Sequence, residues 1–106
     1  MARKCLYCSP KVCGEYWIYV VADKDGTGPV KVGISNNPTR RLGQHRKKTK
    51  RDLIVHFKVP VQCQFRAFDV EEYALESLDD FRTTGDWFSA PIAQCIDAVN
   101  RAMRNA

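Results

Sequence analysis

Two runs of β-branched and aromatic residues joined by one turn limit the fold of this chain more than any other feature. Tyr16-Trp17-Ile18-Tyr19-Val20-Val21 has the composition of a strand. Asp23-Lys24-Asp25-Gly26-Thr27-Gly28-Pro29 supplies turn chemistry, and Val30-Lys31-Val32-Gly33-Ile34 returns as a second strand. Side chains alternate along a strand, so Val30, Val32 and Ile34 share one face while Lys31 and Gly33 share the other. By the same alternation Tyr16 faces away from Tyr19 and is assigned to packing. So apolar a hairpin must be covered, and with 106 residues the cover comes from the same single core.

Downstream, Asn37-Pro38 reads as an N-cap with proline at the first helical position. The helix it opens is polar, with Leu42 as its expected apolar anchor. Leu53, Val55, Phe57 and Val59 alternate as in a half-buried strand that Pro60 should end, with 61–66 continuing extended. Ala67, Val70, Ala74, Leu75, Leu78 and Phe81 recur at helical spacing. Gly85 breaks the chain before the aromatic pair Trp87-Phe88, expected to anchor core or rim. Ser89 and Pro91 start a last helix lined by Ile92, Ile96, Val99 and Met103, with Cys95 in its buried stripe. The expected class is α+β, a small antiparallel sheet of about three strands flanked by helices.

Charge narrows the function. Lys plus Arg outnumber Asp plus Glu by 17 to 12, a net charge of +5, which favours a polyanionic partner, DNA first. The excess is concentrated: Arg40, Arg41, Arg46, Lys47, Lys48, Lys50 and Arg51 lie in one stretch without an acid. Asp69, Glu71, Glu72, Glu76, Asp79, Asp80 and Asp86 form an opposing segment relieved by Arg82 alone. If about five basic residues each neutralise a phosphate, log K falls with log salt at a slope near −4.5. The longest apolar run, 17–22, is far short of the roughly 20 residues of a membrane helix. No secretory apolar segment follows the first residues, so the expected setting is intracellular and reducing. Five cysteines exclude a complete disulfide framework within the chain.

Trp17-Ile18-Tyr19, Lys31-Val32-Gly33, Arg41 with His45 four residues on, and Glu71 together resemble the GIY-YIG nuclease superfamily, and its phage-type branch in particular. Asn37-Pro38 with Arg40-Arg41, and Gly85-Asp86-Trp87-Phe88 as a closing element, extend the likeness over roughly residues 15–90. The resemblance implies a DNA endonuclease that hydrolyses phosphodiesters with one divalent metal, Mg²⁺ or Mn²⁺. It gives Arg41 the scissile phosphate, Glu71 the metal, Tyr19 the water nucleophile and Gly33 the motif glycine. A guanidinium offers phosphate a planar fork, and a carboxylate gives Mg²⁺ the hard oxygen it prefers. Among the helix glutamates, only Glu71 has apolar residues directly before it and four before, three after and seven after, the family's register. Glu72 and Glu76 both place Asp79 at an apolar position.

The chain departs from that pattern at Trp17, which stands where the family has glycine, and at Lys31, which stands where it has tyrosine. Lys31 either assists Tyr19 or binds phosphate. His45 either serves as base or phosphate donor or is a surface histidine of the basic helix. Arg40, Arg46, Lys47, Lys48, Lys50 and Arg51 are the expected DNA-backbone contacts. Cys5, Cys8 and Cys13 in an N-terminal arm (1–14) offer three thiols toward a tetrahedral Zn²⁺, with Cys63, His45 or His56 as a fourth ligand. Two other functions fit the same residues: a catalytically silent DNA-binding module, and a zinc-stabilised interaction protein. Targeting by a partner protein also fits, because phosphate contacts carry no base identity.

Overall fold

The computed structural model describes residues 15–105. The elements run β1 (Tyr16–Asp23), β2 (Val30–Ser35), α1 (Pro38–Thr49), β3 (Leu53–Val61), α2 (Gln64–Ser77), β4 (Arg82–Thr84), β5 (Trp87–Phe88) and α3 (Ile92–Asn105), with a 3-10 turn at Asp79–Phe81. The strands form one antiparallel sheet in the order β3-β1-β2-β5-β4. The class is the expected one, but the sheet has five strands rather than about three. The two extra strands are the hairpin Arg82–Phe88, turning at Gly85 with φ +57. The three residues of its first strand are exposed and carry no apolar alternation to announce it.

Helices cover both faces of the sheet, so the inner strand β1 has no solvent-facing side along its middle. Ile18, Tyr19, Val20, Val21 and Ala22 are all buried, which explains the uninterrupted apolar run of β1. Ile18, Val20, Ala22, Val30, Val32 and Phe88 meet Ala67, Val70 and Ala74 of α2 and Cys95, Ala98, Val99 and Ala102 of α3. Tyr16 packs against this larger core. On the other face Tyr19, Val21 and Leu53 form a smaller cluster with Leu42, Val55 and Trp87. Trp87 and Phe88 therefore do not act as a pair; as strand neighbours they enter opposite layers.

Other boundaries differ from those expected. Pro60 does not end β3, which continues to Val61; β3 is an edge strand, where a missing N–H costs no ladder bond. Consequently α2 begins at Gln64, inside the segment expected to be extended. Phe81 leaves the α2 stripe for the 3-10 turn and is 36% exposed. Asn37 caps α1 by accepting from the Arg40 N–H at 3.2 Å, and Pro38 follows it. In α1 the buried residues are Pro38 and His45, whereas Leu42 is half-buried. No helix among the described residues is long and apolar enough to cross a membrane.

Candidate functional site

The α1 side of the sheet gathers most of the polar residues singled out by the sequence. Tyr19 and Gly33 are direct partners across β1 and β2, and glycine there gives the phenol its room. A Cβ at position 33 would stand 2.6 Å from Tyr19 Oη. Oη instead meets Nε2 of His45 at 3.1 Å. His45, 7% exposed, sits between Tyr19 and the edge of the Trp87 ring, with both ring centroids 6.2 Å away. It is not a surface histidine.

Burial and the neighbouring cations Lys31, Arg41 and Lys48 push His45 down to about 4. Burial raises the Tyr19 phenol, against the hydrogen bond and positive charge of Arg41. Both groups are therefore neutral near pH 7. With the imidazole proton on Nδ1 the phenol donates to Nε2, and with it on Nε2 the phenol oxygen accepts.

Lys31, on β2, has a side chain only 12% exposed and places Nζ 3.7 Å from the Asp86 carboxylate. The same ammonium lies 5.6 Å from the Trp87 ring centroid. Burial lowers its pKa, with Asp86 opposing. Arg41 lies in the first turn of α1, its Nη1 donating to Gln44 at 3.0 Å.

Glu71 belongs to α2, in the other layer, and reaches the same group of charges at the edge of β2. Strand β5 pairs only with Val30 and Lys31 of β2, leaving the Ile34 end of that edge uncovered by it. Burial first, then the Asp86 charge, push Glu71 up to about 7, against Lys31 and the Ile34 backbone N–H. Among the described residues no cation lies within ion-pair distance of Glu71. A half-buried carboxylate short of positive charge suits a hard cation. No cluster of three or more His, Cys, Asp or Glu side chains accompanies it among the described residues. The donor set fits an ion such as Mg²⁺, which takes one or two carboxylates and leaves its other positions to water and phosphate.

The basic stretch divides in two. Arg40, Lys47, Lys48 and Lys50 are exposed. Arg46 donates Nε to the Leu53 carbonyl at 2.7 Å. Arg51 grips Asp23 through Nε at 3.1 Å and Nη2 at 2.9 Å, and lies 5.1 Å from the Trp87 centroid. These two arginines fasten α1 and its exit to the sheet. Cys5, Cys8 and Cys13 lie outside the described residues. Of their suggested companions, Cys63 is buried, His45 is held by Tyr19, and His56 donates Nε2 to the Asp23 carbonyl at 2.8 Å. Cys95 is fully buried, its thiol pushed up to about 11 by that burial.

Sequence reasoning missed Asp86 as the partner of Lys31 and Trp87 as the ring shared by Lys31, Arg51 and His45. Asp86 read as one more acid in an acidic segment. The only available signal for Trp87 was its place beside Phe88 in a short strand with opposite faces.

Residues 16–103 match the model of the T5orf172 domain. No curated protein and no solved structure matches the chain. The matched span runs from the first residue of β1 almost to the end of α3; it holds Tyr19, Lys31, Arg41, His45 and Glu71 alike, and the chain belongs to the T5orf172 domain family.

Proposed function

We propose that this protein is a divalent-metal-dependent endonuclease that hydrolyses DNA phosphodiester bonds. The T5orf172 domain is phage-associated and occurs in an endonuclease context, which supports a nuclease or DNA-binding role. The observation that carries the hydrolytic reading is the meeting of two layers at one end of β2. Tyr19, Lys31, Arg41 and His45 come from the α1 side, and Glu71, without an ion pair among the described residues, comes from α2.

Arg41 binds the scissile phosphate through its planar donor fork. In the Nδ1–H tautomer His45 accepts the phenol hydrogen bond at Nε2, which turns the Tyr19 oxygen toward a water beside that phosphate. Tyr19 thus positions the nucleophile; raised by burial, it is no strong base in the free protein. An incoming phosphate adds negative charge that favours protonated His45, making the imidazole a better proton acceptor when substrate is present. Lys31 supplies fixed positive charge for the developing phosphorane, held in place by Asp86 and Trp87. Glu71 would hold the metal, which when bound supplies Lewis-acid stabilisation of the phosphate and leaving oxygens. Arg40, Lys47, Lys48 and Lys50 follow the DNA backbone.

The test is a supercoiled-plasmid nicking assay on wild type, Arg41→Ala and Glu71→Gln, with and without Mg²⁺. Nicking is expected from the wild type with metal, and both variants should lose at least about a hundredfold, the scale of one lost transition-state contact. Plasmid left intact by the wild type in both Mg²⁺ and Mn²⁺ would sink the proposal. The exposed cations of α1 act independently of Glu71, and this favours one alternative, a silent DNA-binding module. That module would bind DNA equally well after Glu71→Gln and cut under no metal.

A further inference from the structure

Trp17 and Lys58 stand beside the site and take no part in the chemistry above. Trp17 is two residues from Tyr19 on β1 and so shares its face of the sheet, about 6.6 Å along the strand. Its cross-strand partners are Ser35 on β2 and Pro60 on β3. The indole is half-buried and is absent from the apolar cluster beneath α1, so it flanks the covered part of that face. Lys58 is the β3 partner of Tyr19. It is exposed, makes no ion pair among the described residues, and holds Nζ 4.9 Å from the Trp17 ring centroid.

A flat aromatic ring with a cation over it, on the two strands that carry and flank Tyr19, matches the two halves of a nucleotide. The ammonium does not block the ring permanently. An exposed cation–π contact is worth about a two- to fivefold preference, whereas stacking of a base on an aromatic side chain is worth about fivefold to a hundredfold in binding. A base therefore displaces Lys58 from the indole, and the released ammonium is free to meet the phosphate. We propose that Trp17 and Lys58 form a nucleotide subsite, in which a base freed from its own stack lies on the indole while Lys58 contacts the adjoining phosphate.

This subsite rests on the nuclease reading and refines its substrate. A base inside an intact duplex has both faces covered by its neighbours and cannot lie on Trp17. The preferred DNA therefore has unpaired nucleotides beside the bond to be cut, as at a gap, flap or single-stranded stretch.

The test measures binding in excess chelator, where no cleavage occurs, using the full chain. The probes are a short oligothymidylate strand and a blunt duplex of equal length at one fixed salt concentration. Trp17→Ala should weaken single-strand binding at least about fivefold and change duplex binding less than about twofold. Trp17→Phe should keep most single-strand affinity, because phenylalanine also stacks, while abolishing most of the tryptophan fluorescence quenching caused by the strand. Lys58→Ala should weaken the strand and reduce its salt slope by about one. Equal losses on both probes, or none on either, would overturn the subsite even if metal-dependent nicking is intact. Should Trp17→Ala fail to fold, unchanged quenching in Trp17→Phe would overturn it by itself. Failure of wild type to bind either probe would instead remove the nucleic-acid reading on which the subsite depends.

Discussion

The phenol of Tyr19 and the imidazole of His45 meet at 3.1 Å and tie β1 to α1 across 26 residues of sequence. The contact joins two elements through one pair of atoms, so exchanging either partner changes how the phenol is held. Tyr19→Phe and His45→Ala should each lower nicking about tenfold to a hundredfold, the usual cost of misplacing a reacting group. His45→Gln offers the phenol another acceptor and should retain more activity than His45→Ala. Equal loss in both histidine variants would remove the positioning role.

Gly33 is tied to the same phenol by space alone. Gly33→Ala forces Tyr19 aside, since the new Cβ would stand 2.6 Å from Oη. Overpacking of this kind should destabilise the fold by about 1–3 kcal/mol. Adding Tyr19→Ala removes all three side-chain atoms that crowd the new Cβ, at 2.6, 2.8 and 3.2 Å, so the two changes should be non-additive by at least about 0.5 kcal/mol in denaturant unfolding. Strict additivity would show that the phenol lies elsewhere.

The pH dependence of stability contains two opposing terms. His45 is lowered from 6.5 to about 4, so the unfolded chain binds the extra proton between those values and stability rises with pH in that window. Glu71 is raised from 4.5 to about 7, so the folded chain binds the extra proton and stability falls as pH rises from 4.5 through 7. The two nearly offset each other between pH 4.5 and 6.5. Glu71→Gln should therefore expose the rise due to His45 and stabilise the protein at pH 8 by about 1–3 kcal/mol. His45→Gln should leave a profile that falls with pH. Parallel profiles for wild type and both variants would contradict these environments.

The arginines of the basic stretch should separate from its lysines. Arg51 holds Asp23 with two hydrogen bonds, and Arg51→Ala should cost about 1–2 kcal/mol of stability. Lys47→Ala and Lys48→Ala should each cost under about 0.5 kcal/mol. Each lysine change should instead flatten the salt slope of DNA binding by about 0.9. Thermal melts and binding isotherms at several salt concentrations read the two effects separately.

How much of this was legible in the sequence depended on whether one element sufficed to reveal it. The hairpin of β1 and β2 and the capped start of α1 are local patterns and formed where their residues indicated. Helix α2, by contrast, kept Ala67, Val70 and Ala74 of its stripe as its buried positions but began earlier and ended before Leu78 and Phe81. Glu71 was picked out by register on its own helix, and the structure brings it to the charges of Lys31 and Asp86. Burial of His45 was hidden because α1 reads as polar throughout, and the Trp87 wall that covers it is contributed by a two-residue strand. Arg46 and Arg51 looked like their neighbours because a run of like charges gives no sign of which members find partners across the sheet. Pro60 misled because its effect depends on the strand being at an edge, a property of the whole sheet.

The two charged helices lie on opposite faces of the sheet, α1 with its cations and α2 with its carboxylates. In the field of a polyanion such a body experiences a torque as well as a pull. It arrives already turned, α1 foremost, so fewer collisions are wasted on the wrong orientation. Neutralising Glu72 and Glu76, which lie on α2 away from the proposed chemistry, would therefore weaken the turning of the molecule while leaving the residues of the site in place.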